Sequence, residues 1–359
     1  MQQGAGEAEV NQVVERLTKL GFGVHVSRGV EKTVIGAVGD RRAAEPDDLQ
    51  TLPGVERVVP VMEPYKLASR HFHPDDTVIQ VGDVEIGGSE VVMMAGPCAV
   101  ESRGQLLETA RAVKAAGARL LRGGAFKPRT SPYAFQGLGE EGLKLLAETR
   151  EATGLPVITE VMDTRDVDQV AYYADILQLG ARNAQNFSLL KELGRVGKPV
   201  LVKRGMHTTI EEWLLAAEYV MASGNHQVIL GERGIRTFET ATRNTLDLSA
   251  VALVKMLSHL PVLVDPTQGT GKNKLVAPMS LASVAAGADA LLVEVHYNPR
   301  LALCDGPQAL TTEQFGDLMR RLRPVAEAVG RTMAGAEPGV RVAVEAAETP
   351  KAPLAGKVG

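Results

Sequence analysis

Seven cations fall at or just after the ends of short apolar runs in this 359-residue chain: Arg122, Lys127, Arg129, Arg182, Lys203, Arg204 and Arg233. On a helix face such residues are ordinarily just solvated charge. At strand ends that converge on one pocket they become receivers for phosphate and carboxylate oxygens, Arg through its planar fork and Lys as a point charge. So many of them imply a strongly anionic ligand, or two ligands. Ion pairs with nearby Glu and Asp are the plainer alternative. The segment "KPRTSPYAFQGLG" adds a loop stiffened by Pro128 and Pro132, with the hydroxyls of Thr130 and Ser131 available to a phosphate.

A second set could hold a metal. Cys98, Glu294 and Asp305 offer a thiolate and two carboxylates, which suits Mn, Fe, Co or Zn. A buried, inert Cys98 is the competing reading. Cys304 reads as a surface thiol, or as one that meets Cys98 under oxidation. In "VDPTQGTGK" an uncharged amide, Gln268, stands where an apolar run hands over to a polar loop.

These residues need a scaffold that brings eight chain segments to one rim. From about residue 88 to 330 short β-branched or apolar runs alternate with helix-like stretches: "VVMMAGPC", "RLLRGGAF", "PVITEV", "ILQLGA", "PVLVKR", "QVILGER", "PVLVDPT" and "ALLVEVH". Eight strands and eight helices over this length predict a (β/α)8 TIM barrel, with a doubly wound open sheet as the alternative. Each run ends in a residue that can do chemistry: Cys98, Lys127, Glu160, Arg182, Lys203, Arg233, Asp265 and Glu294. Barrels gather their active-site residues at that carboxyl-terminal rim.

The rest of the chain is expected to divide as follows. Residues 1–65 form a small α+β module of ferredoxin-like type, with "AEVNQVVERLTKLGF" a helix, "GVHVSRG" and "KTVIGAVGD" a strand pair, "DDLQTLPG" the start of a helix and "VERVVPV" a closing strand. Residues 66–90 form a linker and a hairpin, "VIQVGDVEIGG", that plugs the barrel floor. The barrel occupies 91–334, and 335–359 is a mobile tail rich in Ala, Gly, Pro and Glu. The net charge of −4 and pI of about 6.0 argue against nucleic-acid or anionic-membrane binding. Two cysteines imply no disulfide framework, and neither a signal peptide nor a bilayer-spanning run is apparent, so a cytoplasmic setting is expected.

The stretches "AGPCAVES", "LRGGAFKPRTSPYAFQGLGEEGL", "QLGARNAQNFSLL", "PVLVKRGM", "ERGIRTFETATRNTLDLSAV" and "VEVHYNPRLALCDGPQAL" resemble the class I 3-deoxy-D-arabino-heptulosonate 7-phosphate (DAHP) synthases. The closer likeness is to the subfamily that includes 3-deoxy-manno-octulosonate 8-phosphate synthase, over about residues 60 to 330. "SRGVEKTVIGAVGD" and "PYKLASRHFHPDDTVI" resemble the ferredoxin-like regulatory domain of one branch. The likeness implies an aldol-type condensation of phosphoenolpyruvate with erythrose 4-phosphate, an aldose phosphate, at the first step of the shikimate pathway. Arg122, Lys127, Arg182, Lys203 and Arg233 match the positions that hold phosphoenolpyruvate. Lys127 matches the lysine of proton transfer, and Arg129 and Thr130 the aldose-phosphate loop. A divalent metal, a homotetramer and a chorismate mutase partner are further expectations of the resemblance.

The sequence departs from that pattern in three places. The family's metal ligands are a Cys, a His, a Glu and an Asp. Cys98, Glu294 and Asp305 match three of them, and Gln268 stands at the His of a "DPSH" motif. Gln268 either ligates through its oxygen, or leaves an empty site and bonds the substrate or a water, or marks a divergent paralogue that takes another aldehyde or has lost turnover. Gly231 replaces the usual Cys before "ERGIRTFE", and His207 stands where small residues are common, as a rim residue or a replacement ligand. The N-terminal segment "MQQGAGEAEV" supplies no apolar first strand, which predicts an incomplete sheet.

Overall fold

The computed structural model describes residues 1–29, 32–39, 46–59 and 64–335. The chain opens with helix α1 (Glu7–Lys19), whose Val10, Val13 and Leu17 form the buried stripe at helical spacing. An antiparallel pair follows, β1 (Gly23–Arg28) and β2 (Thr33–Val38), and then the short helix α2 (Pro46–Gln50). Residues 1–6 form no strand, as expected. Residues 55–59, expected as the start of a closing strand, are irregular, and 60 and 61 lie outside the described residues. The module rests on the linker: a Cβ at Gly36 would fall on the ring of Phe72, and His25 meets both Phe72 and His226 edge to face.

The expected hairpin is β3 (Ile79–Val81) with β4 (Val84–Ile86). Its two-residue turn begins with Gly82 at φ 60, a conformation that other residues rarely adopt. Then come β5 (Val92–Gly96), β6 (Leu120–Arg122), β7 (Val157–Val161), β8 (Ile176–Leu179), β9 (Val200–Lys203), β10 (Val228–Glu232), β11 (Val262–Val264) and β12 (Ala290–Glu294). All pair in parallel, in chain order, and close into a barrel. Around it lie α3 (Arg103–Ala116), α4 (Glu140–Thr153), α5 (Val167–Tyr173), α6 (Phe187–Leu193), α7 (Ile210–Ala222) and α8 (Leu248–Leu257), followed by the short α9 (Pro266–Thr270), α10 (Asn273–Ala285) and α11 (Thr312–Ala328). Local chemistry starts these helices where the strands hand over. Ser102 caps α3, and Thr209 with Glu212 and Thr311 with Gln314 form capping boxes on α7 and α11. Among the described residues no helix is long and apolar enough to cross a membrane.

Alternation along the strands builds the interior. Val92, Met94, Leu120, Ile158, Ile176, Leu201, Ile229, Leu263, Ala290 and Leu292 share one apolar cluster with Ile79, Val81, Val84 and Ile86 of the hairpin, which closes the floor. Each fully buried aliphatic side chain contributes about 1.5–3 kcal/mol. The intervening residues, such as Met93, Leu121, Val202 and Leu230, face the helices. Because the side-chain period is two, the next inward positions above the apolar layers are fixed: Arg122, Glu160, Gln178, Lys203, Arg233, Asp265 and Glu294. The fold thus stacks an oily floor beneath a charged rim.

Candidate active site

A cavity of about 450 Å³ opens at that rim. Arg122, Lys127, Arg129, Thr130, Arg182, Lys203, Arg233, Gln268, Cys304 and Asp305 all line it. Arg122, Lys127, Lys203 and Arg233 are buried, whereas Arg182 and Thr130 reach it from exposed loops. Arg122 donates through Nη1 to Pro97 O at 2.9 Å and to Glu294 Oε1 at 3.3 Å. Burial works against its charge, but Glu294 and Cys98 outweigh that and raise its pKa. Lys203 donates to Asp265 Oδ2 at 2.5 Å, although burial still lowers its pKa. Arg233 is also lowered by burial. Among the cavity-lining residues, two buried guanidinium nitrogens, Arg122 Nε and Arg233 Nη1, have no hydrogen-bond partner within the protein. Buried donors left in that state cost about 1–3 kcal/mol each, which an arriving oxyanion would recover.

Arg204 does not join them. It follows Lys203 by one residue, so the strand period turns it out of the barrel. There it donates to Glu232 Oε2 and Asp247 Oδ2, each at 3.0 Å, and to Thr208 O, and lies over the Trp213 ring. Arg122 and Lys203 are ion-paired too, but at the cavity, whereas Arg204 is paired away from it. Glu160 and Gln178, at the same inward level, also line the pocket, and a Cβ at Gly180 would collide with Glu160 Oε1. Arg236 and Arg243, on the loop between β10 and α8, line it too. Neither lies at a strand end. Their only signal in the sequence was membership of the "ERGIRTFETATRN" stretch.

The second set converges on the other side. Cys98 Sγ lies 3.3 Å from Asp305 Oδ2 and 3.3 Å from Cys304 Sγ. Cys304 is therefore not a surface thiol: it is 4% exposed, tucked beside Cys98 by the loop after β12. The signal was its place next to Asp305; in the structure Asp305 has φ 55, the one positive φ of a non-glycine among the described residues. The hydrogen bond that Cys98 donates to Cys304, then burial, pushes the Cys98 thiol up, and the same hydrogen bond draws Cys304 down. Lys127 Nζ faces Cys98 Sγ at 3.1 Å, and Arg129 Nη1 faces Cys304 Sγ at 2.5 Å. Burial opposes the charge on Lys127, but the neighbouring sulfurs and Glu160 more than restore it and keep Lys127 protonated.

Gln268 sits in the first turn of α9, its backbone N–H capped by Asp265. Its Nε2 donates to Glu294 Oε1 at 2.5 Å and to Asp305 Oδ2 at 3.1 Å, while its Oε1 accepts from Arg243 Nη1 at 3.0 Å. Despite burial, that bond and the Cys98 thiol hold the Asp305 carboxyl below its usual pKa. Behind the cavity lining Gln308 donates to Glu294 Oε2 at 2.6 Å. His207 is exposed and outside this cluster, and a Cβ at Gly231 would meet Leu201 Cδ1 at 2.9 Å. As donors, the sulfurs of Cys98 and Cys304 and a carboxylate oxygen of Asp305 all lie within 4.8 Å of one another, which fits a divalent metal with some taste for sulfur.

With this geometry in hand, comparison with known proteins is decisive. Residues 72–329 match the DAHP synthetase I family, and residues 1–63 match the DAHP synthase ferredoxin-like domain. The chain belongs to the DAHP synthetase I family. It is 52% identical over 330 residues to phospho-2-dehydro-3-deoxyheptonate aldolase of Thermotoga maritima, covering 92% of this chain and 98% of that one. It is 34% identical over 255 residues to 2-dehydro-3-deoxyphosphooctonate aldolase of Syntrophobacter fumaroxidans, covering 66% and 88%. The crystal structure of the Thermotoga maritima DAHP synthase superposes with a TM-score of 0.75 at 51% identity, over 92% of this chain and 97% of that one. A truncated form of the synthase from the same organism gives 0.70 at 50% identity, over 75% and 98%.

Proposed function

We propose that this family member condenses phosphoenolpyruvate with erythrose 4-phosphate to give DAHP and inorganic phosphate, at the entry to the shikimate pathway. The observation that carries the reading is the pair of buried, unpartnered guanidinium N–H groups among the inward cations. In the proposed reaction Arg122, Lys203, Arg233 and Arg182 hold the carboxylate and phosphate of phosphoenolpyruvate. Arg129 and Thr130, on the exposed loop after β6, receive the phosphate of the aldose. Both reactants are then held in attack geometry with their mutual repulsion neutralised.

The methylene carbon of phosphoenolpyruvate forms the new C–C bond to the aldehyde carbon. The aldehyde oxygen takes a proton, for which Lys127 Nζ, protonated at the pocket wall, is the donor. Water adds to the former enol carbon, and phosphate departs with cleavage of its C–O bond. Cys98 and Asp305 are the proposed core of a divalent metal site, with Glu294 and Gln268 beside them. When bound, such a metal supplies Lewis-acid polarisation of the aldehyde. The exposed rings of Tyr133 and Phe238 support an assembly that covers the rim loops, as the expected tetramer would in the cytoplasm.

The test is product identification by phosphorus NMR with a panel of aldoses and added divalent metals. Heptulosonate phosphate formed fastest from erythrose 4-phosphate upholds the reading. Faster condensation with arabinose 5-phosphate would move the chain to the octulosonate activity instead.

A further inference from the structure

We propose that the divalent metal of this chain is held by Cys98, Cys304 and Asp305, and that Gln268 is a strut between Glu294 and Asp305 rather than a ligand. The inference rests on the reading above only in taking a divalent metal to be used.

Gln268 is committed on both sides of its amide. Its oxygen accepts from Arg243, which can only donate, and its nitrogen serves Glu294 and Asp305, which as carboxylates can only accept. Turning the oxygen inward would set N–H against guanidinium and oxygen against two carboxylates. The same amide bridges to Glu294, whose Oε1 accepts from Arg122 and Gln268 and whose Oε2 accepts from Gln308. Cys304 and Asp305 line the pocket, and Cys98 Sγ lies just behind, 3.3 Å from the sulfur of the one and from Oδ2 of the other.

Their spacing suits a single ion. Metal–sulfur bonds of ~2.3 Å at tetrahedral angles place two sulfur ligands ~3.7 Å apart, and a sulfur and an oxygen only slightly closer. Cys98 Sγ lies 3.3 Å from Cys304 Sγ and 3.3 Å from Asp305 Oδ2, so it need move from each by only a few tenths of an ångström, and all three donors lie within 4.8 Å of one another. Three protein ligands leave one position open, the pattern of catalytic rather than structural sites. Both sulfurs face cations, Lys127 and Arg129. A dication there would repel both and free them for the anionic substrates. Two thiolates also shift preference from Mg and Mn toward Zn, Fe and Co. On binding, any proton still on either sulfur leaves to solvent.

The test uses the full-length protein, stripped by a chelator, kept reduced with a phosphine and titrated with Co(II). The expected absorption is a sulfur-to-cobalt charge-transfer band that saturates at one equivalent. It should lose half its intensity in Cys304→Ser and in Cys98→Ser, and keep it in Gln268→Ala. X-ray absorption of the zinc-loaded wild type should count two sulfur neighbours, which keeps the proposal testable even if a variant fails to fold. A band unchanged in Cys304→Ser, a single sulfur neighbour, no thiolate band at all, or its loss in Gln268→Ala would each overturn it. Phosphate release measured on the same samples separates the two readings. A two-sulfur site without condensation sinks the function and leaves this inference standing, and condensation with a one-sulfur site does the reverse.

Discussion

The two walls of the pocket meet the same solvent but are built oppositely. On the cationic wall Arg122 and Arg233 keep buried N–H groups without partners, so the folded state holds capacity open for a ligand. On the acid and thiol wall Glu294, Asp305, Gln268, Gln308 and Arg243 bond one another until both oxygens of Glu294 are taken. The first wall gives up stability for binding. The second secures itself, and an amide placed between two carboxylates is part of how it does so. Substitutions on the two walls should therefore fail in different measurements.

The largest effect is expected where the walls meet. Lys127→Ala removes the ammonium that faces Cys98, and kcat should fall by about 10²–10⁴-fold while circular dichroism stays unchanged. Next comes the neighbour that looks the same in sequence but faces away. Arg204→Met breaks a buried ion pair and should cost about 3–5 kcal/mol in denaturant unfolding, with no change in KM for phosphoenolpyruvate in the protein that remains folded. Arg233→Ala should do the opposite. KM for phosphoenolpyruvate rises about 10–100-fold, the loss of a charged hydrogen bond, while the melting temperature of the ligand-free protein does not fall. A drop in both would erase the contrast between the walls. The smallest effect is Gln308→Ala, which withdraws one strut from Glu294 and should lower unfolding free energy by about 1 kcal/mol.

Most of the barrel was legible because buried parallel strands read as short apolar runs and their helices as amphipathic stretches with capping residues. The floor hairpin was legible for the same reason, its alternating Ile and Val being separated by a Gly-Asp turn. The rim was legible in kind but not in facing. "LVKR" presents two cations in succession, and only the strand register, counted up from Leu201, assigns Lys203 to the pocket and Arg204 to the helices. Cys304 was harder still. A thiol beside a candidate ligand looks exposed until the loop after β12 folds back on Cys98, a contact 206 residues away in sequence. The irregular 55–59 segment shows the limit of propensity: "VERVV" has β-branched residues enough for a strand, yet its described part joins no sheet.

The central claim is that the open cationic wall exists to hold phosphoenolpyruvate against an aldose phosphate. The most direct measurement follows phosphate release from phosphoenolpyruvate as erythrose 4-phosphate is varied, in the reduced full-length protein with Zn, Co, Fe or Mn added in turn. The account predicts release that requires the aldehyde and equals the heptulosonate phosphate formed, one for one. Release that ignores the aldehyde, or none with any of these metals, would contradict it.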